Sequence, residues 1–120
     1  MRELTDIGLH LSSGPPWHLE YQIQPIGEDY LCRIHGGSRH IGAVALSQWR
    51  SGRATTECLT ACGHKERGIA VHAAHTLCAA TRRRVSCIAG IHYDSLSRIE
   101  IEEIVQTIHA LTRQMAKKVG

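Results

Sequence analysis

Cys32-Arg33-Ile34-His35-Gly36-Gly37-Ser38-Arg39-His40-Ile41-Gly42-Ala43-Val44 places a glycine-rich turn between two apolar runs. This pattern predicts two short strands joined as a hairpin through Gly36-Gly37-Ser38-Arg39. Glycine has no Cβ, so Gly36, Gly37 and Gly42 would let a ligand approach the backbone, while Arg39 and His40 offer donors to an anionic or aromatic guest. The plainer reading of the same residues is a turn and nothing more.

Outward from that stretch, alternation marks further strands. Trp17, Leu19, Tyr21 and Ile23 fall on one face and His18, Glu20, Gln22 and Gln24 on the other, predicting a half-buried strand from Trp17 to Ile26 that Pro25 and Gly27 end. Strands follow at Tyr30 to His35, Ile41 to Leu46 and Thr55 to Ala61, and their close spacing predicts an antiparallel meander. Residues 1–16, with Gly8, Ser12, Ser13, Gly14, Pro15 and Pro16, read as an arm or loop, leaving 17–120 as one domain.

Downstream the period changes. Ile69, Ala70, Ala73, Ala74, Leu77, Ala80 and Thr81 have helical spacing, with small residues that let a helix lie close to a sheet. Val85 to Ile91 is almost wholly apolar and predicts a central strand covered on both sides. Ser97 with Glu100 gives a capping-box signature, and Ile101, Ile104, Val105, Ile108, Leu111 and Met115 form the buried stripe of a second helix. The expected fold class is α+β: about five strands in an antiparallel sheet, in chain order β-β-β-β-α-β-α, packed with two helices.

Composition narrows the function. A chain of 120 residues carrying +3 net charge and 4% aromatic residues, with its arginines scattered along the sequence except for Arg82-Arg83-Arg84, has a poor profile for a nucleic-acid binder, which usually needs a clustered basic face or stacking platforms. Arg82-Arg83-Arg84 reads as a solvated helix end. The five cysteines form no Cys-x-x-Cys pair, which argues for reduced thiols and a cytoplasmic protein without a membrane segment. Cys58, Cys62 and His64 lack the second ligand pair of a structural zinc site.

Chemistry concentrates at three element ends. Besides the Gly36–Gly42 turn, Gly63-His64-Lys65-Glu66 would put Lys65 and unpaired N–H groups at a helix start, which suits a phosphate or carboxylate. Gly90-Ile91-His92-Tyr93-Asp94 ends the apolar strand, and Gly90 leaves room for a flat group beside His92. His72, His75 and His109 fall within helices and read as packing or surface residues, although His72 and His75 at i, i+3 share a face. No Gly-x-Ser-x-Gly elbow, phosphate-binding P-loop, Gly-x-Gly-x-x-Gly or His-Glu-x-x-His occurs, and no nucleophile with an orienting base is evident, so no catalytic residue is assigned.

The three segments, taken in order as Gly-Gly-x-x-His-Ile-Gly-Ala-Val, Gly-His-Lys-Glu and Ile-Ala-Gly-Ile-His-Tyr-Asp, resemble the small subunit of gallate decarboxylase and its relatives over about Trp17 to Met115. That family is described as chaperone-like for prenylated flavin and associated with UbiD-type decarboxylases of aromatic acids, with a fold similar to proteasome-assembly chaperones and a habit of pairing as dimers. The resemblance implies a non-catalytic accessory subunit that binds prenylated flavin mononucleotide, or plain FMN, through Gly36, Gly37, Arg39, His40, Gly42, His64, Lys65, Gly90 and His92. Ile41 and Glu66 also match motif positions. Arg39 and Lys65 would hold the phosphate, and the three histidines would orient the ring. The alternative is a homodimeric assembly module with no small-molecule site; a histidine metal centre at His35, His40, His64 or His92 is a third class.

Overall fold

The same alternation that marks strands in the sequence builds a single layered sheet with both helices on one side. The computed structural model describes residues 8–61 and 66–120. Its elements are β1 (Leu9–Ser12), β2 (Glu20–Ile26), β3 (Asp29–Gly37), β4 (Ala43–Arg50), β5 (Arg53–Thr60), α1 (Arg67–Thr81), β6 (Val85–His92) and α2 (Arg98–Val119). The α+β class, both helices and their positions agree with expectation.

The sheet departs from expectation in two respects. It has six strands in the order β1-β2-β3-β6-β4-β5, and β6 enters between β3 and β4, parallel to the first and antiparallel to the second. The turn after Gly37 is therefore not a hairpin. An antiparallel meander would have left the most apolar strand at an edge, with its ladder groups unpaired. Inserting it at the centre gives both of its edges partners. The sixth strand is β1, inside the stretch expected to be an arm or loop: Leu9 to Ser12 pair with Ile23 to Glu20, and Ser12 donates to the Glu20 carboxylate at 2.8 Å.

Inward residues form one continuous core. Tyr21, Ile34, Ala89 and Ala43 line up across four strands, followed by Ile23, Cys32, Cys87 and Ala45, and all are at most 1% exposed. The α1 alanines Ala70, Ala73 and Ala74 lie fully buried above them, the close helix–sheet approach that small residues permit. From α2, Ile104, Ile108, Leu111 and Met115 complete the core, and the Tyr21 and Thr112 hydroxyls hydrogen-bond at 3.0 Å within it. Each fully buried aliphatic side chain contributes roughly 1.5–3 kcal/mol. The capping box at the α2 start is formed: the Ser97 hydroxyl accepts from Glu100 N at 3.1 Å, and the Glu100 carboxylate accepts from Ser97 N at 3.0 Å.

Among the described residues the opposite face of the sheet carries no helix. Ile88 is half-buried there, so the central strand is covered on one side and not on both. In the same row Val44 pairs with Ile88 and with Leu59, and Leu59 is 80% exposed.

Candidate functional site

Because β4 begins opposite Ala89 while β6 continues to His92, the chain from Ser38 to Gly42 must cross the last residues of β6. Ser38 N donates to His92 O at 3.0 Å and Gly42 N donates to Ala89 O at 2.9 Å, so the crossing is pinned at both ends. The fit is tight enough to need glycine. A Cβ on Gly90 would lie 1.7 Å from the His40 carbonyl oxygen, and one on Gly37, at φ +64°, 1.9 Å from that of His92. The space a Gly42 side chain would occupy holds the Glu66 carboxylate, 1.2 Å from the ideal Cβ position, while Gly36 faces Leu19 and Tyr93.

His40 is fixed from both sides of its ring. Nδ1–H donates to the Ser38 carbonyl at 3.0 Å, and Nε2 meets the Glu66 carboxylate at 3.3 Å. A carbonyl can only accept, so Nδ1 carries the proton of that hydrogen bond. The His92 ring stands edge-on to His40, centroids 6.4 Å apart, and its Nε2 lies 3.2 Å from Asp94 Oδ1.

Behind this edge, α1 and α2 part to leave a cavity of about 500 Å³. Its walls are mainly apolar: Ile69 from α1, Ile91 and Leu96 near the end of β6, and Ile101, Ile104 and Val105 from α2. Glu66, His92 and Tyr93 stand on the rim side, linking it to the crossing loop. The cavity explains why Ile101, expected to be buried, is 49% exposed. Volume and lining fall within the range of small-molecule sites.

Two further histidines line this cavity. His72 and His109 stack across the helix pair with ring centroids 3.9 Å apart and planes tilted by 33°. Burial pushes the pKa of both below the ordinary value, reinforced for His72 by His109 and for both by Arg113. His72 Nδ1 is buried and has no hydrogen-bond partner among the described residues, an unmet polar atom in an apolar hollow. His75, on the face expected to be shared with His72, meets the Thr56 hydroxyl at 3.2 Å instead. Helical position alone marks His72 and His109 as packing or surface residues, but a signal of the site exists: Ile101, Val105 and His109 recur every four residues, one line along α2.

The other predicted residues divide. Gly36, Gly37 and Arg39 border a second hollow of about 340 Å³ beside Trp17, His35 and Glu20. Tyr93 borders both hollows; its hydroxyl donates to Trp17 O and its ring meets that of Trp17 at 5.4 Å. His35 is held below its usual pKa by burial and then by Arg39 and Arg33. His40, Gly42, Glu66, Gly90 and His92 converge at the crossing, whereas His64 and Lys65 lie outside the described residues, as do Cys62 and Gly63. Among the described residues no group of three or more His, Cys, Asp or Glu could hold a metal ion, and no helix is long and apolar enough to cross a membrane.

The family model for the prenylated flavin chaperone LpdD-like domain matches residues 13–120. The chain belongs to this family. The match takes in the crossing loop, both helices and the cavity. Among solved structures, one titled as a novel chaperone complex for yeast 20S proteasome assembly is similar, with a TM-score of 0.61 over 95% of this chain and 96% of that one. At 10% identity that likeness concerns the fold alone. A comparison with curated proteins gives no match.

Proposed function

We propose that this chain is a non-catalytic holder of prenylated flavin mononucleotide that serves a UbiD-type decarboxylase of aromatic acids in the cytoplasm. The observation that carries the reading is the cavity between α1 and α2, apolar on most sides and bearing an unmet imidazole nitrogen. A flat, largely apolar ring with a few acceptor atoms fits that lining better than a sugar or a free anion would. Tyr93 connects it to the hollow where Arg39 stands, and the matched family is one of prenylated flavin chaperones.

In this reading the residues bind and shield. Ile69, Ile104 and Val105 exclude water from the ring, His72 and His109 present ring nitrogens to its polar atoms, and Arg39 with Lys65 meets the phosphate. His40, Gly42, Glu66, Gly90 and His92 form the rigid rim, with Gly36 and Gly37 delivering the loop that carries Arg39. The chemistry the cofactor supplies belongs to the decarboxylase. In this chain Glu66 is engaged with His40.

Titration of the full chain with prenylated FMN and with FMN, followed by flavin fluorescence, tests the reading. Saturable binding of the prenylated form is expected, weakened at least about tenfold, or ~1.4 kcal/mol, by Val105→Trp, which fills the cavity from its half-buried wall. A folded protein that binds neither flavin overturns it.

A second reading, pairing with another copy, is favoured by the helix-free sheet face, where Leu59 is 80% and Leu46 40% exposed beside Val44 and Ile88. Exposed apolar rows of this kind are covered in most stable assemblies. Sedimentation should report a dimer that Leu59→Glu with Leu46→Glu converts to monomer; a wild-type monomer at high concentration removes this reading.

A further inference from the structure

The end of the molecule away from the cavity is strongly basic, and the proposed function makes no use of it. Both helices start at the cavity end and finish at this one: an added Cβ on Gly120, just past α2, would sit 3.3 Å from Cβ of Ala80 near the end of α1. Arg50 and Arg53 flank the β4–β5 turn, Arg82-Arg83-Arg84 join α1 to β6, and Lys117-Lys118 close α2. Glu28 and Asp29 share a hollow with Arg50 and Arg82 to Arg84, whereas Glu66, Asp94, Glu100, Glu102 and Glu103 lie at the helix starts.

Helix dipoles account for the cations at helix ends but not for Arg50 and Arg53, which sit on a strand turn. The guanidinium groups are also positioned. Arg82 lies 5.2 Å from the Trp49 ring centre and Arg83 5.5 Å from that of Tyr30. Arg83 donates to Glu28 O at 3.2 Å and Arg84 pairs with Asp29 at 3.3 Å. Arg82 does this from a left-handed backbone conformation, φ +58°, which glycine adopts more cheaply. Arg50, Arg82, Arg83 and Arg84, with Trp49, Glu28 and Asp29, line a cavity of about 410 Å³.

We propose that this basic end docks an acidic peptide segment of a partner protein, leaving the cavity end free. Five of the seven cations are arginines, whose planar forks match carboxylates in pairs. A nucleic acid fits less well: Tyr30 is only 3% exposed and Arg82 already faces Trp49, so this end offers little aromatic surface for bases to stack on.

Fluorescence anisotropy with a labelled short polyglutamate peptide and the full chain provides the test. The peptide should bind in a salt-dependent way and weaken at least about tenfold in Arg50→Glu/Arg53→Glu. Arg98→Glu/Arg113→Glu, with the same change in net charge on the exposed side of α2, should stay within about twofold of wild type. Lys117→Glu/Lys118→Glu should weaken the peptide too and carries the test if the turn variant fails to fold. Equal weakening by all these variants would show a net-charge effect and overturn the proposal. So would tighter binding of an oligothymidylate of equal length, or of phosphatidylglycerol vesicles, abolished by the same turn substitutions.

Discussion

Two pairs of histidines sit near one another at the cavity end and could hardly be more differently built. His40 is held at both ring nitrogens, by the Ser38 carbonyl and the Glu66 carboxylate, inside a crossing with no space left over. His72 and His109 face each other at 3.9 Å beside an open hollow, one with a nitrogen unmet among the described residues. The first pattern is that of a structural clasp, and the second leaves imidazole rings bordering an open apolar hollow. Motif residues His40, Gly42, Glu66, Gly90 and His92 therefore gather at the crossing, whereas His72 and His109, without a motif, line the cavity behind it.

The largest effect should come from breaking the clasp. Gly90→Ala puts a Cβ against the His40 backbone, at 1.7 Å from the carbonyl oxygen, and backbone cannot swing aside as a side chain can. Overpacking of this kind costs roughly 1–3 kcal/mol or more, and a loss of about 3 kcal/mol in urea unfolding is expected. Gly42→Ala should cost less, since the atom it meets is the far end of the Glu66 side chain. Equal losses at the two positions would show that the crossing yields as a whole and that the contrast between rim and interior is too sharp.

An intermediate effect should come from pH, and it singles out the other pair. Burial holds His72 and His109 below the ordinary pKa of 6.5, so the unfolded chain takes up their protons first. Stability is therefore complete above about pH 6.5 and falls as pH drops from there toward the lower folded-state values, below which the loss levels off. His35, also depressed by burial, adds to the same slope from the neighbouring hollow. His72→Leu/His109→Leu should flatten most of the slope in unfolding experiments between about pH 5 and 7, and His35→Leu should remove the rest. A slope unchanged in the first variant would mean that the stacked pair is not strained by charging.

How much of this was legible beforehand follows from the kind of information each feature uses. The strands at Tyr21, Cys32 and Ala45, the α2 stripe and the Ser97–Glu100 capping box are local patterns, and local patterns survive into the fold. Strand order is not local. Nothing in Gly36-Gly37-Ser38-Arg39 distinguishes a hairpin from a crossing over a strand that comes some fifty residues later, although the apolar run from Val85 already demanded a place with partners on both edges. The four-residue Leu9–Ser12 strand is too short for its alternation to stand out. The cavity needed two helices brought side by side before His72 and His109 could meet, so periodicity could identify the faces but not the gap between them.

The smallest effect tests the clasp without disturbing its shape. Glu66→Gln keeps the atoms that fill the space beside Gly42 and removes only the charge that faces His40 Nε2. The pair is largely but not fully buried, with side-chain exposures of 21% and 11%, so solvent still screens part of the interaction. A neutral amide can still hydrogen-bond the imidazole, and the expected loss is therefore about 0.5–1 kcal/mol. Glu66→Ala, which also empties the space, should cost clearly more. If the two variants were equally destabilised, charge pairing and not space filling would hold the crossing to α1.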